Sequence, residues 1–115
     1  MKNFCVNFSL QDSEYMTALR LAVGAVCALA DVDVDAAEDM KVCVTESCLI
    51  LKSCGFDDVN VALDISDGVK ATVEGIGGSL KNSDNEFSLA LVSALVTNLD
   101  IERQGGAICK LVLSL

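Results

Sequence analysis

The stretch from Asp35 to Gly55, DAAEDMKVCVTESCLILKSCG, decides the fold because it predicts a long central helix. Asp35, Glu38 and Asp39 crowd its first turn, where the helix dipole favours negative charge. Gly55 follows the last apolar residues, in the usual place for the left-handed residue that ends a helix. We therefore predict a helix from about Asp35 to Cys54.

Upstream of this helix, the apolar pattern predicts one strand and one helix. Residues 3–10 alternate loosely between apolar and polar side chains, which is typical of a strand. Residues 11–30 carry apolar side chains at helical spacing, and Asp12 or Ser13 is placed to cap that helix.

Downstream, two hairpins enclose a third helix. Tight turns are predicted at Asp67-Gly68 and at Gly105-Gly106, which join strands at residues 59–65 and 69–76 and at residues 99–103 and 107–115. The helix between the hairpins, residues 86–97, is apolar nearly all round. We expect such a helix to be covered on more than one side.

The resulting order of elements is β-α-α-β-β-α-β-β. Helices confined to one face of a largely antiparallel sheet give an α+β fold. We predict a two-layer sandwich in which three helices cover one face of a mixed, mostly antiparallel sheet. The length of 115 residues fits a single domain, residues 1–115.

The chain is acidic, with 17 Asp and Glu against 8 Lys and Arg and a formal net charge of −9. This charge repels nucleic acid and anionic lipid, and no Lys/Arg cluster reverses it locally. A polar or basic protein partner suits the surface, although the charge also serves simply to keep a small domain soluble. No apolar run reaches the length of a membrane span, and the N-terminus lacks signal-peptide features, so we predict a cytoplasmic protein.

The chain contains six cysteines, no His and no CxxC pair, so no zinc site is expected. Free Cys behaves as a small, mostly buried apolar residue, and unpaired thiols fit a reducing compartment. We predict six free thiols, most of them buried.

Two segments resemble the anti-sigma-factor serine kinases of the GHKL (histidine-kinase-like) ATPase superfamily. These are YMTALRLA, residues 15–22, and EDMKVCVTESC, residues 38–48; the last helix and closing hairpin are similar as well. The resemblance covers nearly the whole chain and implies a Bergerat-type ATP site between sheet and helices. It also implies phosphorylation of a small anti-anti-sigma partner, sequestration of a sigma factor and a homodimer.

The first motif of that family, E-x-x-x-N, contains the general base and an Asn that supplies an oxygen to Mg²⁺. Here Glu46 stands at the base position and Ile50 at the Asn position. Ile50 cannot coordinate a hard cation, which needs oxygen ligands. Helical spacing puts Val42, Glu46, Leu49 and Ile50 on one side of the helix. Glu46 is therefore either a retained base or a remnant that is solvated or paired with a donor.

The second motif, D-x-G-x-G, contains the carboxylate that binds adenine and glycines that let the backbone approach the nucleotide. The alignment puts Gly75 at the Asp position, Gly77 at the first Gly and Ser79 at the second. A shift by one residue would recruit Glu74 instead, but would also move the side chain to the other face of the strand. The alternative is that this stretch is a flexible exit from the strand.

The third motif is the lid, which ends in a G-x-G whose N–H groups hold phosphate at the start of the third helix. Here those positions read Glu86-Phe87-Ser88, and the lid, residues 79–85, is too short to cover a nucleotide.

Three hypotheses follow for function. The first is a catalytically inactive regulatory domain that binds protein partners, by resemblance a sigma factor or an anti-anti-sigma protein, and needs no cofactor. The second is an active serine kinase with ATP and Mg²⁺ in a divergent pocket, where Glu46 is the base and Glu74 binds adenine. The third is a small-molecule sensor that uses the vacated apolar pocket near Val42, Leu49, Ile50 and Ile76.

Overall fold

A five-stranded sheet forms one layer of the protein and three helices form the other. The computed structural model describes residues 3–115. Its elements are β1 (Asn3–Ser9), α1 (Glu14–Leu29), α2 (Val34–Ser53), β2 (Asp58–Asp64), β3 (Lys70–Ile76), α3 (Glu86–Leu95), β4 (Asn98–Gln104) and β5 (Ala107–Ser114). The strands lie in the order β1-β2-β3-β5-β4.

The sheet buries one face only. Along β2, Val59, Val61 and Leu63 are buried, whereas the residues between them are partly exposed. Side chains alternate between the two faces of a strand, so the buried set faces the helices and the other face meets solvent. The predicted two-layer α+β sandwich is confirmed. The sheet was expected to be mixed, but all four strand pairings among the described residues are antiparallel.

The central helix α2 packs between α1 and α3 and above the middle strands. The carboxylate of Asp33 caps its start by accepting a hydrogen bond from the Ala36 N–H at 2.8 Å. Two polar side chains in its buried face are satisfied within the helix. The hydroxyls of Thr45 and Ser47 donate to carbonyl oxygens four residues earlier, at 2.8 and 2.7 Å.

A Schellman motif ends α2 at the predicted glycine. Gly55 has φ +95°, its N–H donates to the Lys52 carbonyl, and the Phe56 N–H donates to the Leu51 carbonyl. The motif reverses the chain sharply and directs Phe56 back toward the sheet. This turn thereby positions the Phe56 ring against Gly75.

The expectation that other elements cover α3 on more than one side is wrong. Val92 is its only buried residue, while Phe87 near its first turn is 84% exposed. The helix is 10 residues long and contacts α2 and β4 along one side. The apolar composition predicted the helix itself. It did not predict how much of the helix is buried, because that depends on the neighbouring elements, which contact only part of its surface.

Helix α1 has 16 residues and α2 has 20. Within residues 3–115, no helix combines the length and apolar character needed to cross a lipid bilayer. Helix α1 begins at Glu14, three residues later than predicted, and Ser13 precedes it without a side-chain cap hydrogen bond. Of the two predicted capping residues, Asp12 supplies the bond, because its carboxylate accepts from the Glu14 N–H at 3.1 Å.

All six cysteines are free, and most are buried, as predicted. Cys27, Cys43, Cys48 and Cys54 lie in the core, whereas Cys5 is exposed on β1 and Cys109 is half-buried. Burial raises the pKa of the Cys48 thiol to about 12. Burial also raises the pKa of Cys43 to about 11, and the charges of Asp39 and Glu46 add to that effect.

The buried thiols predict a loss of stability at alkaline pH. An unfolded thiol releases its proton near pH 9, whereas folded Cys48 keeps its proton until about pH 12. The unfolded state therefore binds fewer protons above pH 9, and the free energy of unfolding falls as pH rises toward 12. Each such thiol contributes at most about 1.4 kcal/mol per pH unit to this slope.

Urea unfolding between pH 8 and 10.5 measures that slope. Cys48→Ala should make the decline shallower, apart from a constant loss due to the cavity. Cys5→Ser, at an exposed position, should keep the wild-type slope. Equal slopes in wild type and Cys48→Ala would contradict the prediction.

Candidate functional site

Glu46 lies in the middle of α2 on the flank that faces α3. One turn earlier, the thiol of Cys43 lies 3.9 Å from the Val92 carbonyl oxygen of α3. Glu46 is half-buried and makes no hydrogen bond or ion pair with any residue in the described part of the chain. Its carboxylate contributes to the raised pKa of Cys43, so it lies near that thiol. Glu46 thus lies beside α3, and no hydrogen-bond donor among the described residues fixes the position of its carboxylate.

Ile50, at the position of the family's metal ligand, is part of the hydrophobic core. It is 1% exposed, whereas Val42 and Leu49 are 40% and 44% exposed. Helical spacing sets these positions within one sector of α2, and Ile50 lies at the buried margin of that sector whereas Val42 and Leu49 lie at its exposed margin. Ile50 belongs to the core between the helices and the sheet, while Val42 and Leu49 are exposed. Of the four residues that the sensor hypothesis named, Ile50 is thus inaccessible, whereas Val42, Leu49 and Ile76 are exposed.

Gly75, at the position of the adenine-binding carboxylate, lies beneath the ring of Phe56. Gly75 pairs with Val59 across the sheet and therefore faces the helices. A Cβ atom at Gly75 would overlap the Phe56 ring carbons. Phe56 itself is 7% exposed. The space in front of the adenine position is thus filled by an aromatic side chain that the turn after α2 supplies.

Glu74 lies on the opposite face of the sheet. It pairs with Asn60 on one side and Lys110 on the other, and its side chain is exposed. The helices, including Glu46, are on the other face. Glu74 therefore cannot bind a nucleotide held between sheet and helices, which removes the adenine contact that the kinase hypothesis proposed.

Gly77 and Gly78 leave β3 in left-handed conformations, both with φ +71°. A Cβ atom at Gly78 would overlap the Gly55 carbonyl oxygen, so Gly78 is needed for close backbone packing. A Cβ atom at Gly77 would lie 3.8 Å from an oxygen of the Asp57 carboxylate. Gly77 therefore faces a negative charge, which is an unfavourable neighbour for phosphate.

The segment after these glycines is fixed to the end of α2, in contrast to the flexible exit considered from the sequence. The N–H groups of Ser79 and Lys81 donate to the carbonyls of Gly55 and Cys54, at 3.1 and 3.0 Å. At the other end of the segment, the Asn85 side chain accepts a hydrogen bond from the Ser53 hydroxyl at 3.0 Å. The segment covers the C-terminal end of α2 instead of a nucleotide.

The N-terminus of α3, where the family binds phosphate, is occupied by the chain's own acidic side chains. The Asp84 carboxylate accepts a hydrogen bond from the Glu86 N–H at 3.1 Å. The Glu86 carboxylate adds a second negative charge to the first turn. Both charges oppose binding of a triphosphate.

Along the axis of α2, Glu46 lies about 12 Å from Cys54, the end to which the glycine segment is attached. The structure therefore separates Glu46 from Gly77 and brings Gly75 together with Phe56. No group of three or more His, Cys, Asp or Glu side chains that could hold a metal ion occurs in residues 3–115.

Phe56 and Asn85 are the residues that sequence reasoning missed. The signal for Phe56 was its position directly after the helix-ending Gly55, where a Schellman motif favours an apolar residue. The spacing alone did not indicate that its ring would lie on Gly75. Asn85 carried no signal beyond being the polar residue before α3.

A groove of about 460 Å³ lies away from these positions, between β1 and α1. We call it the edge groove, and it is lined by Val6, Asn7, Phe8, Ser9, Tyr15, Ala18, Leu19 and Ala22. A second cavity, of about 440 Å³, has a polar lining that includes Asp64, Lys70, Asn98 and Ser114. Neither contains Glu46, Gly75 or Gly77.

Comparison with known proteins finds no protein-family model that matches the chain and no curated protein sequence that resembles it.

The contact between Gly75 and Phe56 predicts that a side chain at position 75 destabilises the fold. Gly75→Asp, which would restore the family's carboxylate, should lower the free energy of unfolding by about 2 kcal/mol or more, because it overpacks the core and buries a charge. Gly75→Ala should cost about 1–3 kcal/mol by overpacking alone.

A double-mutant cycle with Phe56→Ala isolates the contact in chemical denaturation. The loss caused by Gly75→Ala should shrink in the Phe56→Ala background, because the ring that it overlaps is gone. Glu74→Ala, next to it on the open face, should change stability by less than about 0.5 kcal/mol. Additive effects of the two substitutions would show that the ring does not restrict position 75.

Proposed function

We propose that this protein is a regulatory domain of the anti-sigma-kinase type that acts by binding proteins and has no nucleotide chemistry. One observation carries the proposal: the Phe56 ring fills the space in front of Gly75, where adenine would need both room and a carboxylate. A family member that binds ATP needs an open pocket at that point between sheet and helices.

The charges around the remaining positions support the same proposal. Ile50 supplies no oxygen to a metal ion, so Mg²⁺ has no ligand there to neutralise a triphosphate. Asp57 lies beside Gly77, and Asp84 and Glu86 lie at the start of α3. In a domain with a net charge of −9, these carboxylates repel phosphate groups.

The exposed apolar side chains support protein binding. Leu21, Leu29, Val34 and Phe87 are each more than 70% exposed, and all lie on the helices. Apolar side chains that are open to solvent on a small domain offer contacts for a protein partner. By resemblance, the partner is a sigma factor or a small anti-anti-sigma protein.

The kinase alternative retains one favourable observation, the carboxylate of Glu46, which is half-buried and has no donor within the described residues. In that alternative Glu46 removes the proton from a serine hydroxyl, and Glu46→Ala abolishes phosphotransfer. In the interaction proposal the same substitution changes stability or partner binding only.

Isothermal titration calorimetry tests the proposal with Mg-ATP and Mg-ADP. We expect no binding heat at millimolar nucleotide, for the wild type and for Glu46→Ala alike, because metal ligand, adenine carboxylate and phosphate donors are all missing. The thermal unfolding midpoint should likewise stay unchanged with nucleotide. A micromolar dissociation constant would contradict the proposal, and loss of phosphotransfer in Glu46→Ala would then identify the base.

Binding to proteins is tested separately by biolayer interferometry against purified sigma factors and anti-anti-sigma proteins from the source organism. Binding should occur without nucleotide and should not change when Mg-ATP is added. Phe87→Asp tests the contribution of α3, and Glu74→Lys on the open sheet face is the control. Binding that requires Mg-ATP, or no binding to any of these proteins, would contradict the proposed role.

A further inference from the structure

Helices α2 and α3 run antiparallel along the outer surface of the helical layer. At one end of their contact, the Cys43 thiol lies 3.9 Å from the Val92 carbonyl oxygen. At the other end, the Ser53 hydroxyl donates to the Asn85 side chain at 3.0 Å. Between these two points the helices lie side by side, and two neighbouring helices leave a groove in which a third helix can pack.

On the α2 side of this groove, carboxylates alternate with apolar side chains. Asp39, Val42, Glu46 and Leu49 follow one another at spacings of three and four residues, which puts them along one side of the helix. Val42 and Leu49 are 40% and 44% exposed, whereas Asp39 and Glu46 are half-buried. Both carboxylates add to the raised pKa of the Cys43 thiol, so they lie near the contact with α3.

Neither carboxylate has a hydrogen-bond donor or a cation as partner within residues 3–115. Lys41, in the same helix, pairs instead with Glu38 at 3.1 Å and lies beside Gly24 of α1. Helix α3 contains no Lys or Arg. A half-buried carboxylate has lost part of its hydration. A cation supplied by another molecule would therefore find two acceptors without competition from this chain.

The α3 side of the groove is apolar. Phe87 is 84% exposed, and Leu91, one turn later, is half-buried but lies outside the hydrophobic core. Ala94 continues the same side of the helix and is exposed. We call the whole surface the carboxylate groove, and its main residues are Asp39, Val42, Glu46, Leu49, Phe87 and Leu91.

The spacing and charge of the carboxylate groove indicate what fits it. Asp39 and Glu46 are seven residues apart, about 10 Å along the helix axis. A second helix presents two side chains at the same distance when they too are seven residues apart. Exposed apolar side chains beside the carboxylates suit an amphipathic helix laid into a groove.

A second copy of this chain does not supply such a helix. Helix α1 carries one basic residue, Arg20, and α3 carries none. The two basic residues of α2, Lys41 and Lys52, are eleven residues apart. An anionic lipid surface is repelled by the same carboxylates. The occupant that fits is therefore a basic amphipathic helix of a different protein.

We propose that the carboxylate groove binds an amphipathic helix of a partner protein, with two Lys or Arg seven residues apart beside its apolar face. This inference rests on the proposed function and names the chemistry of the partner. The partner's cations pair with Asp39 and Glu46, which fixes the register of the helix. Val42, Leu49 and the Phe87 ring pack against its apolar side chains and supply most of the affinity.

Fluorescence anisotropy with labelled peptides tests the pairing. The probe is a helical peptide of about 18 residues with a Leu face and two Lys seven residues apart, and the matched peptide has Glu in place of both Lys. The wild type should bind the Lys peptide at least about 10-fold more tightly than the Glu peptide. Glu46→Gln and Asp39→Asn should each weaken the Lys peptide by about 5- to 10-fold.

Glu74→Gln is the matched control, because it removes the same charge from the open face of the sheet. It should change the affinity of the Lys peptide by less than about 2-fold, since solvent and salt screen a charge on the far side of the domain. An equal loss in Glu74→Gln and Glu46→Gln would assign the binding to the net charge of −9 alone and would overturn the inference.

A charge reversal separates pairing from a structural role of the carboxylates. The double variant Asp39→Lys/Glu46→Lys, checked for its fold by circular dichroism, should prefer the Glu peptide over the Lys peptide. Phe87→Ser should weaken both complexes by about 10-fold, because it removes an apolar contact and no charge. An unchanged preference in the double variant would overturn the inference.

Nuclear magnetic resonance locates the peptide. Amide shifts induced by the Lys peptide should cluster in α2 and α3, and shifts confined to α1 or to the open sheet face would overturn the inference. A sigma factor that binds without nucleotide, equally well to wild type, Glu46→Gln and Asp39→Asn, would overturn the groove and leave the proposed function in place. Micromolar binding of Mg-ATP alongside an intact peptide site would do the reverse.

Discussion

The ring of Phe56 on the backbone of Gly75 is the contact on which the arrangement of this domain depends. Gly55 ends α2 in a left-handed turn, and that turn places Phe56 on β3, the second strand of the hairpin that follows. The close approach of Gly78 to Gly55 then fixes the segment before α3 against the same turn. Three glycines with different roles thus hold the helical layer, the sheet and the connecting segment at one point.

This contact constrains the residue at position 75. Because the Phe56 ring fills the space in front of Gly75, a carboxylate there would clash, and the position is restricted to glycine. The segment of residues 79–85 is hydrogen-bonded to the end of α2 and is too short to close over a ligand as well. Ile50, which the resemblance aligned with a metal ligand, is part of the core. Each departure thus contributes to packing, and together they stabilise a closed junction between sheet and helices.

Local signals predicted the elements, because alternation, caps and glycine turns act over a few residues. The turns at Gly55, Gly68 and Gly105-Gly106 have the left-handed φ values that the sequence predicted. Non-local contacts were not predictable in the same way. Residues 56 and 75 are far apart in the chain, and neither helical nor strand periodicity indicates that they are in contact. Helical spacing likewise grouped Ile50 with Val42, but only the packing of the whole domain shows that Ile50 is buried and Val42 exposed. Apolar composition also could not show that Phe87 would face solvent.

Outside this closed junction, the chain has exposed apolar side chains on its helices and a net charge of −9. A crystal structure from crystals soaked with Mg-ADP tests the central claim most directly. The account predicts that the Phe56 ring remains on Gly75 and that no nucleotide density appears between sheet and helices. A displaced Phe56 ring, with ordered ADP in the space that it vacates, would contradict the account.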